Sequence, residues 1–306
     1  MFKVRTTLDF YGASSIFGAN GFRDASWLHG WIFSDLISYR QLIDPIEDLN
    51  RLHFVWTESQ KKFLLNEGYQ NVYDVGAPFL YFLKNYNEDP VKSYDTAIFP
   101  PHSISKNSDR PGVLSYVEAY LEKNPDERVV ISLHCADWDN QDLIYGLRKL
   151  NVAYVKGAVN NDPSTYTRLI TLFRSVNKVV TPTFGSHIPY AMASGCKVII
   201  DFENFIEYDL SSEYLGHPYW PDLEFRRAIS VESEFGTLKS IKNNYEFINN
   251  LDVEQSYEWA MNQLGKQSLM KIEDLNQLFV KSSFFRFFIV KVYFRVKLKL
   301  KAFLEN

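Results

Sequence analysis

KVVTPTFGSHIPYAMASGCKVIIDF, Lys178–Phe202, is the stretch on which the fold turns. It starts with an apolar strand over Lys178–Pro182. A loop, Thr183-Phe184-Gly185, follows, and Ser186 stands where it can cap a short helix with Pro189 in its first turn. Gly195 sits where that helix should stop, and Val198–Asp201 reads as the next strand. In open α/β sheets, ligands bind at the carboxyl ends of strands, and the amino end of a helix offers free N–H groups to an anion. A hydroxyl-rich loop in that place suits a phosphate or diphosphate. The same pattern also serves an ordinary βαβ crossover whose Thr and Ser only cap the helix, and the stretch by itself leaves both readings open.

Upstream of it, strands and helices alternate. Strands are expected at Thr96–Phe99, Arg128–Leu133 and Val152–Val155. Helices are expected at Val113–Lys123 and Gln141–Leu150, with a third opened by Asp162-Pro163 and running to Val176. Strands separated by helices of about 10–15 residues predict a parallel, doubly wound sheet. A polar segment with Pro90, Asn87–Tyr94, reads as a linker to an amino part of similar type. There, strands are expected at Phe2–Leu8, Trp27–Phe33, His53–Thr57 and Asn71–Val75, with a helix start at Ser34–Arg40. Further helices are expected at Glu58–Gly68, with Phe63 and Leu64 inward, and at Pro78–Tyr86. Downstream, residues 203–270 read as a Tyr/Trp/Pro-rich loop followed by polar helices. The expected division is therefore 1–90, 91–270 and a tail, 271–306.

The tail differs in kind. Gln277–Asn306, QLFVKSSFFRFFIVKVYFRVKLKLKAFLEN, sets seven Lys or Arg against one Glu among many Phe, Val and Leu. A basic amphipathic helix of this sort reads as a membrane-surface anchor, because each cation near anionic lipid adds about 1 kcal/mol. A terminal helix packed on the body, basic face outward, is the other way to use it. The remaining composition narrows the classes. A net charge of −4 argues against a nucleic-acid partner held by overall charge. Two isolated cysteines, Cys135 and Cys196, build neither a disulfide framework nor a zinc site, which points to a reducing compartment. With no signal-peptide core at its start, the chain is expected in the cytoplasm.

Three histidines stand at expected strand ends: His29 in WLHGW, His102 in FPPHS and His187 after Ser186. An imidazole with an ordinary pKa near 6.5 suits a general base at neutral pH, and His29 of the amino part could take a proton from an acceptor hydroxyl. His102, Ser103 and the loop Thr183–His187 could hold the phosphates of a leaving nucleotide. No dense group of metal-ligating side chains is visible, and no cofactor is expected. Asp137-Trp138-Asp139 is a literal DxD, and Asp139 is read as a helix cap. Glu203 and Glu207 share a helix face if helical. Glu203, just past the last strand, is read as a ligand of donor sugar or ribose, or as plain surface.

Taken together, WLHGW, HFVWTESQKKFLLNEGYQNVYDVGAP, AIFPPHS and VVTPTFGSHIPYAMASGCKVIIDF resemble bacterial glycosyltransferases of the GT-B type that build capsule, O-antigen or related surface polysaccharide. More distantly they resemble the CDP-glycerol glycerophosphotransferases of teichoic acid synthesis. The resemblance implies two Rossmann-like domains facing a cleft, followed by the basic amphipathic helix. It implies His29 as the base, Gly76-Ala77-Pro78 at the edge between domains, and Thr183, Gly185, Ser186 and His187 as the donor-phosphate loop. The implied partners are a nucleotide-sugar donor, a glycan or lipid-linked glycan acceptor, and the inner face of the cell membrane through 280–306. Late in the chain Gly-Ser stands where the phosphotransferases carry paired serines, which leaves donor and stereochemistry open; a metal-independent sugar transfer is the first expectation. A polyol phosphate transfer from a CDP donor and a non-catalytic membrane scaffold are the alternatives.

Overall fold

The computed structural model describes residues 10–20, 25–28, 30–32, 36, 39, 42–43, 51–100, 112–135, 137–204 and 238–278. The expected strand Phe2–Leu8, His29, most of Ser34–Arg40, the loop with His102 and Ser103, Glu207 and the tail beyond 278 lie outside the described residues.

Two parallel sheets organise the chain. The first holds β1 (Ala25–Trp27), β2 (Leu52–Val55) and β3 (Val72–Asp74) in the order β1-β2-β3, with Ala25 opposite Leu52 and His53 opposite Val72. Helix α1 (Glu58–Asn66) crosses from β2 to β3. Its start is set by a capping box, in which the Thr57 side chain accepts from the Gln60 N–H and Gln60 answers the Thr57 N–H. Leu64 is its fully buried anchor and Gly68, at φ +92°, turns the chain out of it.

The second sheet holds β4 (Thr96–Ile98), β5 (Val129–Leu133), β6 (Ala153–Lys156), β7 (Lys178–Thr181) and β8 (Lys197–Ile200). Its spatial order is β6-β5-β4-β7-β8, all parallel. Parallel neighbours need crossovers, and helices supply them: α3 (Val113–Lys123), α4 (Gln141–Lys149), α5 (Thr165–Arg174) and α6 (His187–Ala193), with α2 (Pro78–Asn85) preceding β4. The strands are short apolar runs rich in Val and Ile, as expected when both faces are covered. Alternate residues part to opposite faces. Ile98 and Ile131 join Tyr116, Val117 and Leu147 on the α3–α4 side. Ala97, Val130 and Val179 join Leu169, Ile170 and Phe173 of α5 on the other.

That second face is continuous with the core of the first sheet. Phe79 of α2 stacks on Tyr190 of α6 with centroids 4.2 Å apart, and Tyr166 packs edge-on against both rings. Such a pair adds about 0.5–1.5 kcal/mol beyond its buried area. Among the described residues two late helices follow, α7 (Leu238–Asn250) and α8 (Val253–Gln263). Asn249 of α7 caps the exposed edge of β8, accepting from the Ile200 N–H at 2.8 Å and donating to its carbonyl at 2.9 Å. After α8 the chain returns to the first sheet. The Ala77 N–H donates to Leu264 O at 2.8 Å, Ser268 Oγ to Asp74 at 2.9 Å, and the Met270 N–H to Tyr81 Oη at 3.1 Å. Gly265, at φ +72°, lets this return lie against the Trp56 carbonyl, where a Cβ would come within 1.8 Å. Among the described residues no helix is long and apolar enough to cross a membrane.

Three local expectations need correcting. WLHGWIF is not a strand from Trp27 to Phe33: β1 ends at Trp27, and the Trp31 N–H is committed outside the sheet. Asp139 does not cap α4. Asn140 does, accepting from the Leu143 N–H at 3.1 Å, one residue later. Ser186 occupies the cap position of α6 without making a side-chain cap bond, because its hydroxyl is used elsewhere.

Candidate functional site

Reading the second sheet in chain order along its width gives 3-2-1-4-5. The crossovers therefore change direction between β4 and β7, and in open α/β sheets ligands bind outside the carboxyl ends of the strands at such a switch point. The loop that leaves β7 there is Pro182–Ser186, the loop singled out by the sequence. Gly195, at φ +81°, ends α6 with its N–H on Met192 O, and the Cys196 N–H returns to Ala191 O. With only seven residues, α6 carries a small dipole, so the side chains and backbone of the loop define the site more than the helix does.

Thr181, the last residue of β7, is the hub. Its hydroxyl lies 2.9 Å from Phe99 O on β4's exit and 3.1 Å from Thr183 O, and it accepts from the Thr183 N–H at 3.3 Å. His187 Nε2 lies 3.0 Å from the same oxygen. A hydroxyl has one proton, and the shorter Phe99 contact takes it. His187 Nε2 is then the donor to Thr181, an assignment inferred from the network. The imidazole also stacks on Phe99, centroids 5.0 Å apart and planes 8° from parallel. His187 thus bridges the ends of β4 and β7. Gly185 makes room for it, since a Cβ there would lie 2.9 Å from Nδ1.

The expected site residues divide accordingly. Gly185, Ser186 and His187 are brought together at the switch point, half-buried. Thr183 is buried, 3% exposed, with its hydroxyl 3.3 Å from that of Thr181, so it supports the loop from beneath. Glu203 lies on the exposed turn beyond β8 and pairs loosely with Lys123 at 3.6 Å. Closer to the loop is Asp201, whose N–H donates to Thr181 O at 2.9 Å. The Asp201 carboxylate accepts from Tyr116 Oη at 3.1 Å and Asn204 Nδ2 at 2.9 Å. Burial, then that carboxylate, pushes the Tyr116 phenol up. Asp137 of the DxD is buried and Asp139 exposed. Among the described residues no group of three or more His, Cys, Asp or Glu side chains could hold a metal ion.

Sequence reasoning missed the side chains that join this loop to the amino part. The Trp31 N–H donates to Ser186 Oγ at 2.8 Å, across 155 positions of chain. The Trp31 indole donates to Gln263 Oε1 at 3.0 Å, and its ring packs against Trp259 and Phe184. The paired tryptophans of WLHGW were the available signal. Nothing local marks Gln263.

No protein-family model matches the chain, and no curated protein does. Among solved structures it is similar to the S. aureus MnaA–UDP structure, at 15% identity and TM-score 0.38 over 70% of this chain and 56% of that one. It is also similar to a point mutant of S. aureus TarM in complex with fondaparinux, α-GlcNAc-glycerol and UDP, at 12% identity and TM-score 0.36 over 89% and 54%. A third is the Methanocaldococcus jannaschii UDP-GlcNAc 2-epimerase with UDP-GlcNAc and UDP, at 18% identity and TM-score 0.35 over 66% and 55%. The chain spans about half the length of each. The architecture itself stands on the strand order and pairings above.

Proposed function

We propose that the chain is a glycosyltransferase of GT-B type that moves a sugar from a nucleotide-sugar donor to a hydroxyl of a bacterial surface glycan, the acceptor being lipid-linked. One observation carries this reading. The hydroxyl-bearing loop 182–186 and His187 lie at the carboxyl ends of β4 and β7, the switch point of a parallel 3-2-1-4-5 sheet. His102 and Ser103 follow β4 by four and five positions, so the sequence puts more polar groups on the same edge.

The roles divide between the two sheets. His29, two positions after β1, is the base that removes the acceptor hydroxyl proton. The acceptor oxygen then bonds to the anomeric carbon while the bond from that carbon to the donor diphosphate breaks. The charge that collects on the leaving diphosphate is met by the backbone of loop 182–186 and Ser186, with Thr183 and His187 fixing the loop. Glu203 serves the donor sugar or ribose. Residues 1–90 form the acceptor side, 91–270 the donor side, and 271–306 hold the enzyme to the inner face of the membrane. Deleting 280–306 moves the protein to the soluble fraction, and a truncated form that still pellets with membranes refutes the anchor.

The test of the reaction is label transfer from radioactive UDP-, GDP- and CMP-sugars to a bacterial membrane lipid fraction. His29→Ala is expected to keep the nucleotide-induced rise in melting temperature and to lose turnover by about 10²–10⁴-fold. Unchanged turnover removes His29 from the mechanism. No metal takes part in the proposed step, so EDTA should leave turnover unchanged, and its loss would reopen Asp137 and Asp139 as ligands. A melting shift with CDP-glycerol alone would move the assignment to polyol phosphate transfer.

A further inference from the structure

The loop proposed to hold the donor is already tied to the segment proposed to hold the base. Ser186 Oγ, which a helix cap would spend on its own first turn, accepts instead from the Trp31 N–H at 2.8 Å. A serine oxygen that accepts one hydrogen bond still has its own proton to give, and the incoming N–H leaves that proton directed away from Trp31. The buried Tyr190 phenol makes no hydrogen bond among the described residues and does not hold that proton. A phosphate oxygen on loop 182–186, being charged, is a strong acceptor and would take it. Hydrogen bonds in such a chain strengthen one another, since each polarises the next. Donor occupancy and the Trp31–Ser186 bond are then a single cooperative arrangement.

Trp31 is itself anchored on two more sides. Its indole N–H donates to Gln263 Oε1 of α8 at 3.0 Å. Its ring meets Trp259 of α8 edge-on at 5.5 Å and Phe184 of the loop at 6.4 Å. It is 8% exposed. Three residues earlier, Leu28 is fixed to the first sheet, its N–H on Phe54 O at 2.9 Å and its carbonyl accepting the Trp56 indole at 2.7 Å. Between these two fixed points lie only positions 29 and 30. A Cβ on Gly30 would meet nothing within 4 Å.

We propose that Trp31 is a positioning residue that couples donor binding at loop 182–186 to α8 and to the amino part near Leu28, through Ser186 on one side and Gln263 on the other. Donor binding tightens the Trp31–Ser186 bond and so draws the donor loop and the amino part into one arrangement. This rests on the donor reading of the loop.

The experiment is hydrogen exchange on the full chain, with and without a saturating nucleoside diphosphate. The nucleotide is chosen from UDP, CDP and GDP by its effect on the melting temperature. In the wild type, nucleotide is expected to slow exchange of the Trp31 amide tenfold or more. Ser186→Ala should abolish that gain, and Gln263→Met, which keeps the core volume but loses the indole's acceptor, should reduce it severalfold. Melting temperatures without nucleotide establish that each variant is folded. If Ser186→Ala does not fold, the Gln263→Met comparison decides alone. The proposal is overturned if nucleotide raises the melting temperature and protects 183–187 while the Trp31 amide is unchanged, or if Gln263→Met shows the full gain. If none of the three nucleotides raises the melting temperature, the donor reading falls and this inference with it.

Discussion

The two sheets are held together by different means. The five-stranded sheet relies on ladder hydrogen bonds and aliphatic side chains: every residue of β5 is buried, and Val130, Ile131 and Leu133 are fully so. The three-stranded sheet, with strands of three and four residues, is stitched in addition by side chains to main-chain carbonyls. The Trp27 indole donates to Gly76 O at 3.0 Å, the Trp56 indole to Leu28 O at 2.7 Å, and Arg51 to Ala25 O at 2.9 Å. A ladder shares its load over many equivalent bonds. Each stitch is a single bond, and losing one also leaves a carbonyl unpaired in the core.

The contrast can be broken by mutation. Trp56→Ala should be the most damaging, costing about 3–5 kcal/mol for the lost volume. The unpaired Leu28 carbonyl adds to that, since a buried orphan costs about 1–3 kcal/mol. Gly265→Ala should come next, because it sets a Cβ 1.8 Å from the Trp56 carbonyl at φ +72°. Overpacking of this kind costs about 1–3 kcal/mol, and a left-handed non-glycine residue about 1–2 more. In the five-stranded sheet, Ile131→Val should cost only about 0.5–1.5 kcal/mol. Urea unfolding midpoints rank all three. An Ile131→Val loss as large as that of Trp56→Ala would erase the distinction.

The smallest expected effect sharpens the comparison through pH. The loop from β6 to α5 is closed by Asp162, which accepts from the Ser164 N–H and hydroxyl and from Arg168. Partial burial pushes the Asp162 carboxyl up, but the Ser164 and Arg168 bonds outweigh it and hold the pKa at about 2. A depressed folded pKa means the stabilisation is fully present above the unfolded value of about 3.9 and is lost as pH falls towards 2. Solvent screening leaves it at about 1 kcal/mol or less. Asp162→Asn should therefore be less stable than the wild type at pH 7, with the gap narrowing between about pH 4 and 2. A gap independent of pH would remove the ionic account.

How much of this was legible in the sequence follows the same division. Runs such as VVISL and KVVT are strands wherever they fall in a parallel sheet, and α3 occupies the expected Val113–Lys123. Helix α1 was legible from its inward Leu64 and its Gly68 stop, whereas its capping box at Thr57 and Gln60 went unread. WLHGWIF was misread as one strand because its aromatic residues look like strand formers, whereas Trp27 and Trp31 are set by bonds to Gly76 and Ser186. Ser186 looked like a cap because sequence patterns see partners three residues away, not 155. Asn140 and Asp139 are both good caps, and only the backbone decides between them. That the loop lies at the carboxyl end of a parallel strand followed from the alternation of elements; that this is the switch point did not. Its inner wiring, through Thr181 and Phe99, depended on which strands are neighbours, and chain order does not state that.

The proposed binding of a nucleoside diphosphate at the carboxyl ends of β4 and β7 rests on loop 182–186 and His187. Thermal unfolding of the full chain with CMP, CDP, UDP, GDP and their sugars tests it most directly. One of these at a hundred times its Kd should add about 2.7 kcal/mol of stability, and His187→Ala should remove most of that gain. A melting temperature that no nucleotide or nucleotide sugar raises would contradict it.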